Sequence, residues 1–229
     1  MSALLAYMEK NRLIVASDSC VAGSKDEFPK FQVLRTRKGP AFVGGVGWRS
    51  VLSRLLSPLQ RACDEQGFTL ANLHEFVPGA VDFLLNQRRP EDINPDRDIA
   101  APPAQLLIGG FDDKAARMRM WLVIKNGVGT GMVHELAERD FVAIGFFKPK
   151  DTPDLQRFHS QIMSLGPSVS ADVIAGMLRA RIDEFASTYP DQIGRAAFFA
   201  AANERGSIDL TQPDFPTPWS LSERETVAR

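Results

Sequence analysis

The chain opens with two short apolar runs that are separated by a polar turn. Residues 2–8 are largely apolar, Glu9-Lys10-Asn11 forms the turn, and Leu13-Ile14-Val15-Ala16 then leads into Ser17-Asp18-Ser19. Two such runs around a tight turn predict a β-hairpin. In such a hairpin the end of the second strand lies beside the beginning of the first.

Two further strands are predicted before residue 50. Residues 30–36 alternate apolar and polar side chains, as expected for a half-buried strand. After a turn at Arg37-Lys38-Gly39, residues 40–43 return as a fourth strand that ends in Gly44-Gly45-Val46-Gly47. We therefore expect the first fifty residues to form an antiparallel sheet.

The hydrophobic period then changes to that of amphipathic helices. Apolar residues recur at three- and four-residue steps from Trp48 to Leu59, and Pro58 predicts a kink or a break within this helix. A second stripe runs from Leu73 to Leu84 and follows Thr69, a typical N-cap residue. A pair of helices should therefore follow the first strands.

The second half of the chain repeats this order of strands and helices. Strands are predicted over 105–110, 118–124, 141–145, 196–202 and 208–210, and helices over 154–163 and from a Ser170 cap to Phe185. This order favours an α+β fold, a four-layer αββα sandwich of two mainly antiparallel sheets flanked by helix pairs. Residues 1–211 are expected to form a single domain and 212–229 a C-terminal tail, with 90–103 as an exposed connection.

Composition and charge narrow the classes of function. Of the 229 residues 44% are hydrophobic and 24% are charged, which excludes collagen-like, coiled-coil and disordered chains. The net charge of −1 provides no field that would attract nucleic acid or an anionic membrane. Two cysteines without paired spacing and the lack of a signal-peptide pattern predict a cytoplasmic protein. The three isolated histidines predict neither a metal nor a cofactor.

Ser2 is a candidate nucleophile. A small residue after the initiator favours removal of Met1, which would leave Ser2 with both a hydroxyl and a free α-amine. Because the ordinary pKa of an α-amine is about 7.7–8.0, this amine could accept the hydroxyl proton near neutral pH. The simpler interpretation is that serine at this position only permits removal of Met1.

Asp18 and Lys30 strengthen the first interpretation. The hairpin register carries Asp18 back to the neighbourhood of Ser2, and Lys30 begins the next strand, from which it can reach the same end of the sheet. A lysine beside the nucleophile would favour its ionised form, and the carboxylate would orient and balance the lysine. The alternatives are a turn-forming Asp18 and a solvated Lys30.

These residues, in this order, resemble the opening of a proteasome β-type subunit and of its bacterial relatives, HslV and the ancestral β-subunits. The family begins its first strand with the nucleophile, closes the second with an aspartate, opens the third with a lysine and closes the fourth with glycines. The resemblance continues in Leu107-Ile108-Gly109-Gly110-Phe111-Asp112 and in Phe141-Val142-Ala143-Ile144-Gly145. These matches are scattered over residues 2–145.

The resemblance implies an N-terminal-nucleophile peptidase. Ser2 would be both nucleophile and base, Asp18 and Lys30 its charged partners, and the N–H groups around Gly44, Gly45 and Gly47 the oxyanion hole and substrate-binding strand. It also implies a peptide or unfolded-protein substrate, a homo-oligomeric ring or helical assembly, and an ATPase unfoldase as a further partner.

The sequence departs from the family at several positions. Serine replaces the usual threonine, the loop between the aspartate and the lysine is shorter, and Phe146-Phe147 stands where the family places a serine. Asp183 and Asp191 both lie near a further family aspartate, and the sequence does not decide between them. Two alternatives therefore stay open: a proteasome-like structural subunit without catalysis, and an amidase for a small non-peptide substrate.

Overall fold

The computed structural model describes residues 3–18, 30–47, 49–87, 104–127, 129–145, 147, 149–166, 169–190, 193–194, 196–203 and 208–211. Its strands are β1 (Ala3–Met8), β2 (Arg12–Asp18), β3 (Phe31–Thr36), β4 (Gly39–Gly47), β5 (Ala104–Asp112), β6 (Arg117–Gly127), β7 (Thr130–Glu135), β8 (Phe141–Gly145), β9 (Ala196–Asn203) and β10 (Ile208–Thr211). Its helices are α1 (Arg49–Gln66), α2 (Leu70–Asn86), α3 (Thr152–Ser164) and α4 (Ala171–Thr188).

The strands form two five-stranded sheets. The first sheet has the order β10-β9-β2-β1-β8, and the second has the order β3-β4-β5-β6-β7. Every strand pair between described residues is antiparallel. The predicted hairpin is confirmed as β1 and β2, but the expectation of one sheet over the first fifty residues is wrong, because β3 and β4 belong to the second sheet.

Three hydrophobic clusters hold the layers together. The cluster between the sheets includes Leu4 and Val15 from the first sheet and Phe42 and Met120 from the second. Helices α1 and α2 cover the other face of the second sheet, and α3 and α4 cover the other face of the first. The α+β sandwich predicted from the order of elements is thereby confirmed, since each layer needs an apolar partner.

The helix caps agree with the sequence, but Pro58 does not interrupt its helix. Thr69 makes a reciprocal capping box with Asn72 at the start of α2, and Ser170 accepts the Val173 N–H at the start of α4. Helix α1 continues to Gln66, well beyond Pro58. Its buried stripe extends past the proline through Leu59 and Cys63, and burial of these side chains outweighs the missing hydrogen bond.

The sequence patterns did not predict β7. All six residues of this strand are exposed, so they carry no burial alternation that would distinguish a strand from a loop. The strand is held by its pairing with β6, for example Val133 opposite Val123, and it forms one edge of the second sheet. Residues 90–103 and 212–229 lie outside the described residues, so the predicted connection and tail stay predictions.

Candidate active site

Asp18 ends β2 with a fully buried side chain. The β1–β2 register pairs Leu4 with Ser17 and so places Asp18 beside Ala3, whose N–H donates to Asp18 Oδ1 at 2.8 Å. The other carboxylate oxygen, Oδ2, accepts the N–H of Gly194 at 3.0 Å. A buried carboxylate needs such donors because burial removes its hydration. The prediction that Asp18 returns to the beginning of the first strand is confirmed as far as Ala3, the residue after Ser2 in the sequence.

Lys30 is also buried, with 3% of its surface exposed, and it directly precedes β3. Its carbonyl accepts the Gly45 N–H at 2.6 Å. A Cβ atom added to Gly44 would lie 2.8 Å from Lys30 O and 2.9 Å from Leu4 Cδ1. The start of β3 therefore meets the start of β1 at Gly44, and two buried groups of opposite charge lie at the same end of the sandwich.

Gly44 and Gly45 of β4 are both closely packed, but their N–H groups point to different neighbouring strands. A Cβ on Gly44 would lie 2.4 Å from Phe31 Cβ, and a Cβ on Gly45 would lie 2.6 Å from Gln105 O, so close packing excludes larger residues at both positions. Successive N–H groups along a strand point to opposite sides. Gly45 points to β3, where it donates to Lys30, and Gly44 points to β5, where it pairs with Leu107.

Gly47 lies two residues beyond Gly45, so its N–H points to the same side as that of Gly45 but past the start of β3. Its φ of +145° is a conformation that side chains with a Cβ rarely adopt. The N–H groups of Gly44 and Gly45 thus face neighbouring strands of the sheet, and the predicted oxyanion role of these glycines stays a prediction.

The edge strand β8 reaches the same end of the first sheet. Gly145, its last residue, pairs with Ala3 and has a φ of +158°. Two residues later, the ring of Phe147 packs against Phe185 of α4 with centroids 4.9 Å apart. The chain beyond β8 thus contributes apolar packing at Phe147.

Met1, Ser2, Phe146 and Asp191 lie outside the described part of the chain, as does Cys20, one of the two cysteines. Asp183, the other candidate for a further aspartate, lies on α4. Cys63 is buried in the core of the second sheet, and burial is the main cause that raises the pKa of its thiol to about 11. A group with this pKa is protonated at neutral pH and does not act as a nucleophile there.

Two features of the described residues bear on other classes of function. No three His, Cys, Asp or Glu side chains in this part of the chain are grouped so that they could hold a metal ion. None of the helices that the structure describes is both long and apolar enough to cross a bilayer.

Sequence reasoning missed the residues that hold Asp18 from the far side. Gly194 follows α4, and Tyr189, at the end of α4, donates its hydroxyl proton to Asp151 Oδ1 at 2.7 Å. None of these residues belongs to a local motif. Only the contact between segments that are distant in the sequence reveals them.

Solved structures of other proteins have the same arrangement of layers. The ancestral β-subunit (Anbu) from Yersinia bercovieri superimposes with a TM-score of 0.64 at 17% identity, over 99% of this chain and 96% of that chain. A mutant of Anbu from Hyphomicrobium sp. strain MC1 gives 0.64 at 14% identity, over 100% of this chain and 97% of that one. The chain has the fold of the ancestral β-subunits.

A helical assembly of the Anbu complex from Pseudomonas aeruginosa gives a TM-score of 0.63 at 13% identity, over 98% of this chain and 95% of that one. No family model and no curated protein matches the sequence. The predicted resemblance to the proteasome-like, HslV-type proteins is thus confirmed for the Anbu fold. At these identities the fold is shown, and the chemistry has to be inferred from the residues at the site.

Proposed function

We propose that this protein is an N-terminal-nucleophile peptidase of the proteasome type, with Ser2 as its nucleophile once Met1 is removed. The observation that carries the proposal is the buried Asp18 carboxylate, which accepts the N–H of the residue after Ser2. Stability alone does not explain the burial of both the Asp18 carboxylate and Lys30 at this end of the sandwich, because desolvation of each charge is costly.

The reaction begins with attack of the Ser2 hydroxyl oxygen on the carbonyl carbon of a peptide bond. The α-amine of Ser2 takes the hydroxyl proton and then delivers it to the leaving amine as the C–N bond breaks. The acyl group is left as an ester on Ser2. Water then attacks this ester, the α-amine accepts a proton from the water, and the carboxylic acid product leaves as the serine hydroxyl re-forms.

Lys30 and Asp18 act on the nucleophile through charge. An ammonium group beside the serine hydroxyl stabilises the developing negative charge on its oxygen. The Asp18 carboxylate balances that cation, and its two backbone donors fix its position. The N–H of Gly47 is the oxyanion donor that this proposal favours, and an extended peptide would pair with the backbone beside it.

The proposal extends to partners that the resemblance implies. A peptide or unfolded protein is the substrate, the chain self-associates into a ring or helical assembly, and an ATPase unfoldase delivers substrate to it. The helical assembly of the Pseudomonas aeruginosa relative supports the second of these points. A cytoplasmic location and a single domain over residues 1–211 belong to the same proposal.

The test combines the mass of the N-terminus with the chemistry of Ser2. The native protein should lack Met1 and should gain the mass of one peptide epoxyketone, a probe that reacts with a hydroxyl and an amine on the same residue. Ser2→Ala still permits removal of Met1 and deletes only the hydroxyl. We expect it to lower hydrolysis of fluorogenic peptides by about 10³-fold or more.

Ser17→Ala is the matched control, because this buried serine lies opposite Leu4 and its hydroxyl has no hydrogen-bond partner among the residues that the structure describes. It should retain both hydrolysis and labelling. Equal turnover by the native protein and Ser2→Ala would refute the proposed function.

A structural subunit without catalysis is the second candidate. The packing of Phe147 against Phe185 favours it, because it puts an apolar ring close to the family's serine position. An intact mass that includes Met1 in protein from the native host would support this candidate, since a retained Met1 blocks the Ser2 amine.

A further inference from the structure

The Asp18 carboxylate is held from two directions. Ala3 donates to it from β1, and Gly194 donates to it from the segment that follows α4. The position of the carboxylate therefore depends on how firmly that second segment is attached to the rest of the molecule.

The segment is attached to the end of α4 by its main chain. Ile193, only 2% exposed, packs in the cluster between the first sheet and its helices, and its N–H donates to the Tyr189 carbonyl at 2.9 Å. Tyr189 in turn donates its own N–H to the Phe185 carbonyl at 2.8 Å. Main-chain hydrogen bonds therefore connect the end of α4, through Tyr189, to Ile193, the residue before the Gly194 donor.

The Tyr189 side chain attaches the end of α4 to a different part of the chain. Its hydroxyl donates to Asp151 Oδ1 at 2.7 Å, and both residues are buried. Asp151 directly precedes α3, where an aspartate commonly caps the helix, yet its side chain makes no such capping bond. The Lys150 ammonium lies 5.3 Å from the centroid of the Tyr189 ring, so a positive charge accompanies the buried carboxylate.

Asp151 belongs to the segment that leaves β8, and β8 pairs with β1 through Gly145 and Ala3. The hydrogen bond between Tyr189 and Asp151 therefore joins the two segments that flank Asp18. One leads to the Ala3 donor and the other to the Gly194 donor.

We propose that Tyr189 and Asp151 are a positioning pair, which keeps the Gly194 N–H against Asp18 and so keeps the carboxylate aligned for the reaction at Ser2. This inference rests on the proposed function. In this proposal the pair acts on the reaction through Gly194 and Asp18 and not by direct contact with the substrate.

Tyr189→Phe tests the pair, because it removes the hydroxyl and retains the ring in its apolar cluster. Two quantities are measured on the full-length protein: hydrogen exchange of the Gly194 amide by mass spectrometry, and the rate at which a peptide epoxyketone modifies Ser2. We expect Gly194 exchange to rise up to about ten-fold, as loss of one hydrogen bond allows. The maximal rate of modification should fall about ten-fold or more while the half-saturating probe concentration stays unchanged, because displaced catalytic groups slow chemistry without weakening binding.

Tyr7→Phe is the matched control, since the chain has only two tyrosines and Tyr7 is also buried, at the other end of β1. It should leave Gly194 exchange and the modification rate unchanged. Asp151→Ala should reproduce the effect of Tyr189→Phe, and Asp151→Asn, which retains an acceptor for the tyrosine hydroxyl, should rescue most of it. The Asp151 variants decide the outcome if Tyr189→Phe does not fold.

Unchanged Gly194 exchange in Tyr189→Phe, or faster exchange with an unchanged modification rate, would overturn the positioning role. Failure of the native protein to react with the probe would count against the proposed function instead. The exchange comparison needs no reaction, so it would then decide by itself whether the pair holds Gly194.

Discussion

Two buried carboxylates lie at opposite ends of the β1–β2 hairpin, and their surroundings differ. Glu9, at the turn, accepts the Tyr7 hydroxyl at 3.2 Å and the Arg12 Nε at 2.5 Å, so its partners are side chains close by in the sequence. Asp18, at the open end, accepts main-chain N–H groups of Ala3 and Gly194, which lie 15 and 176 residues away.

Glu9 is thus held by local contacts within its hairpin, whereas Asp18 is held by segments that are distant in the sequence. Glu9 meets a neutralising guanidinium within its own hairpin, and Arg12 also donates to the Val169 carbonyl before α4. Asp18 is fixed only when β1, β2 and the segment after α4 have come together. We therefore expect Glu9 to contribute to stability and Asp18 to contribute to both stability and activity.

Within this comparison of Glu9 with Asp18, the largest expected effect is that of Asp18→Asn on activity. The amide retains an acceptor oxygen and loses the charge, so peptide hydrolysis should fall by about 10²-fold or more. The free energy of unfolding should fall by only about 1–3 kcal/mol, since one backbone N–H then faces an amide donor. Both are measured on the same preparation, hydrolysis with fluorogenic peptides and stability by urea titration. Native hydrolysis rates in Asp18→Asn would contradict the role of its charge.

Glu9→Gln should have the opposite profile. Loss of the charge that Arg12 pairs with should lower the free energy of unfolding by about 1–2 kcal/mol. Hydrolysis measured under native conditions should stay within about two-fold of the native rate, because Glu9 lies at the other end of β1. A loss of activity in Glu9→Gln similar to that in Asp18→Asn would contradict the proposed difference between Glu9 and Asp18.

The smallest expected effect is on the pKa values of the two tyrosines. Tyr7 donates to Glu9, and Tyr189 belongs to the contacts that support Asp18. Burial is the main cause that raises the pKa of Tyr7, whereas the hydrogen bond to Asp151 is the main cause that raises the pKa of Tyr189. Ultraviolet titration of phenolate should therefore give a pKa above 10.0 for both in the folded protein. Asp151→Ala should lower the pKa of Tyr189 towards its ordinary value, because it removes the main cause of the shift. Glu9→Ala should also lower the pKa of Tyr7, but it leaves burial, the main cause of that shift, in place.

These raised pKa values also predict how the stability of the protein changes with pH. Above pH 10 the unfolded tyrosines lose protons that the folded ones retain, so the unfolded state is favoured as pH rises. The contribution of each tyrosine is complete below its unfolded pKa and is lost as pH rises through its folded pKa. A free energy of unfolding that is constant from pH 9 to 11 would contradict this direction.

The sequence predicts the part of the site that local patterns specify. The hairpin and its register follow from two apolar runs and a polar turn, and they bring Asp18 to Ala3. The separation of β3 and β4 into the second sheet was not predictable in this way, since an antiparallel strand pair carries no mark of the sheet to which it belongs.

Other features depend on contacts that no local pattern encodes. Pro58 has a poor propensity for a helix interior, but buried leucines on both sides of it decide the outcome. Asp151 stands where a helix cap is expected, and only the folded chain brings the Tyr189 hydroxyl to it. The glycines of β4 likewise look alike in the sequence. Strand alternation distinguishes Gly44 from Gly45, and the position of the start of β3 distinguishes Gly45 from Gly47.

The side chains of β1 are divided between two cores. Leu4, Ala6 and Met8 enter the layer between the sheets, while Ala3, Leu5 and Tyr7 face α3 and α4. A slip of one residue would exchange these two sets and push the Tyr7 ring into space shaped for small aliphatic groups. The position of β1 is thereby fixed by both cores at once. Under the proposed function, the reaction at the head of this strand would require the whole sandwich to be folded, so a newly made chain would not cleave its neighbours before then.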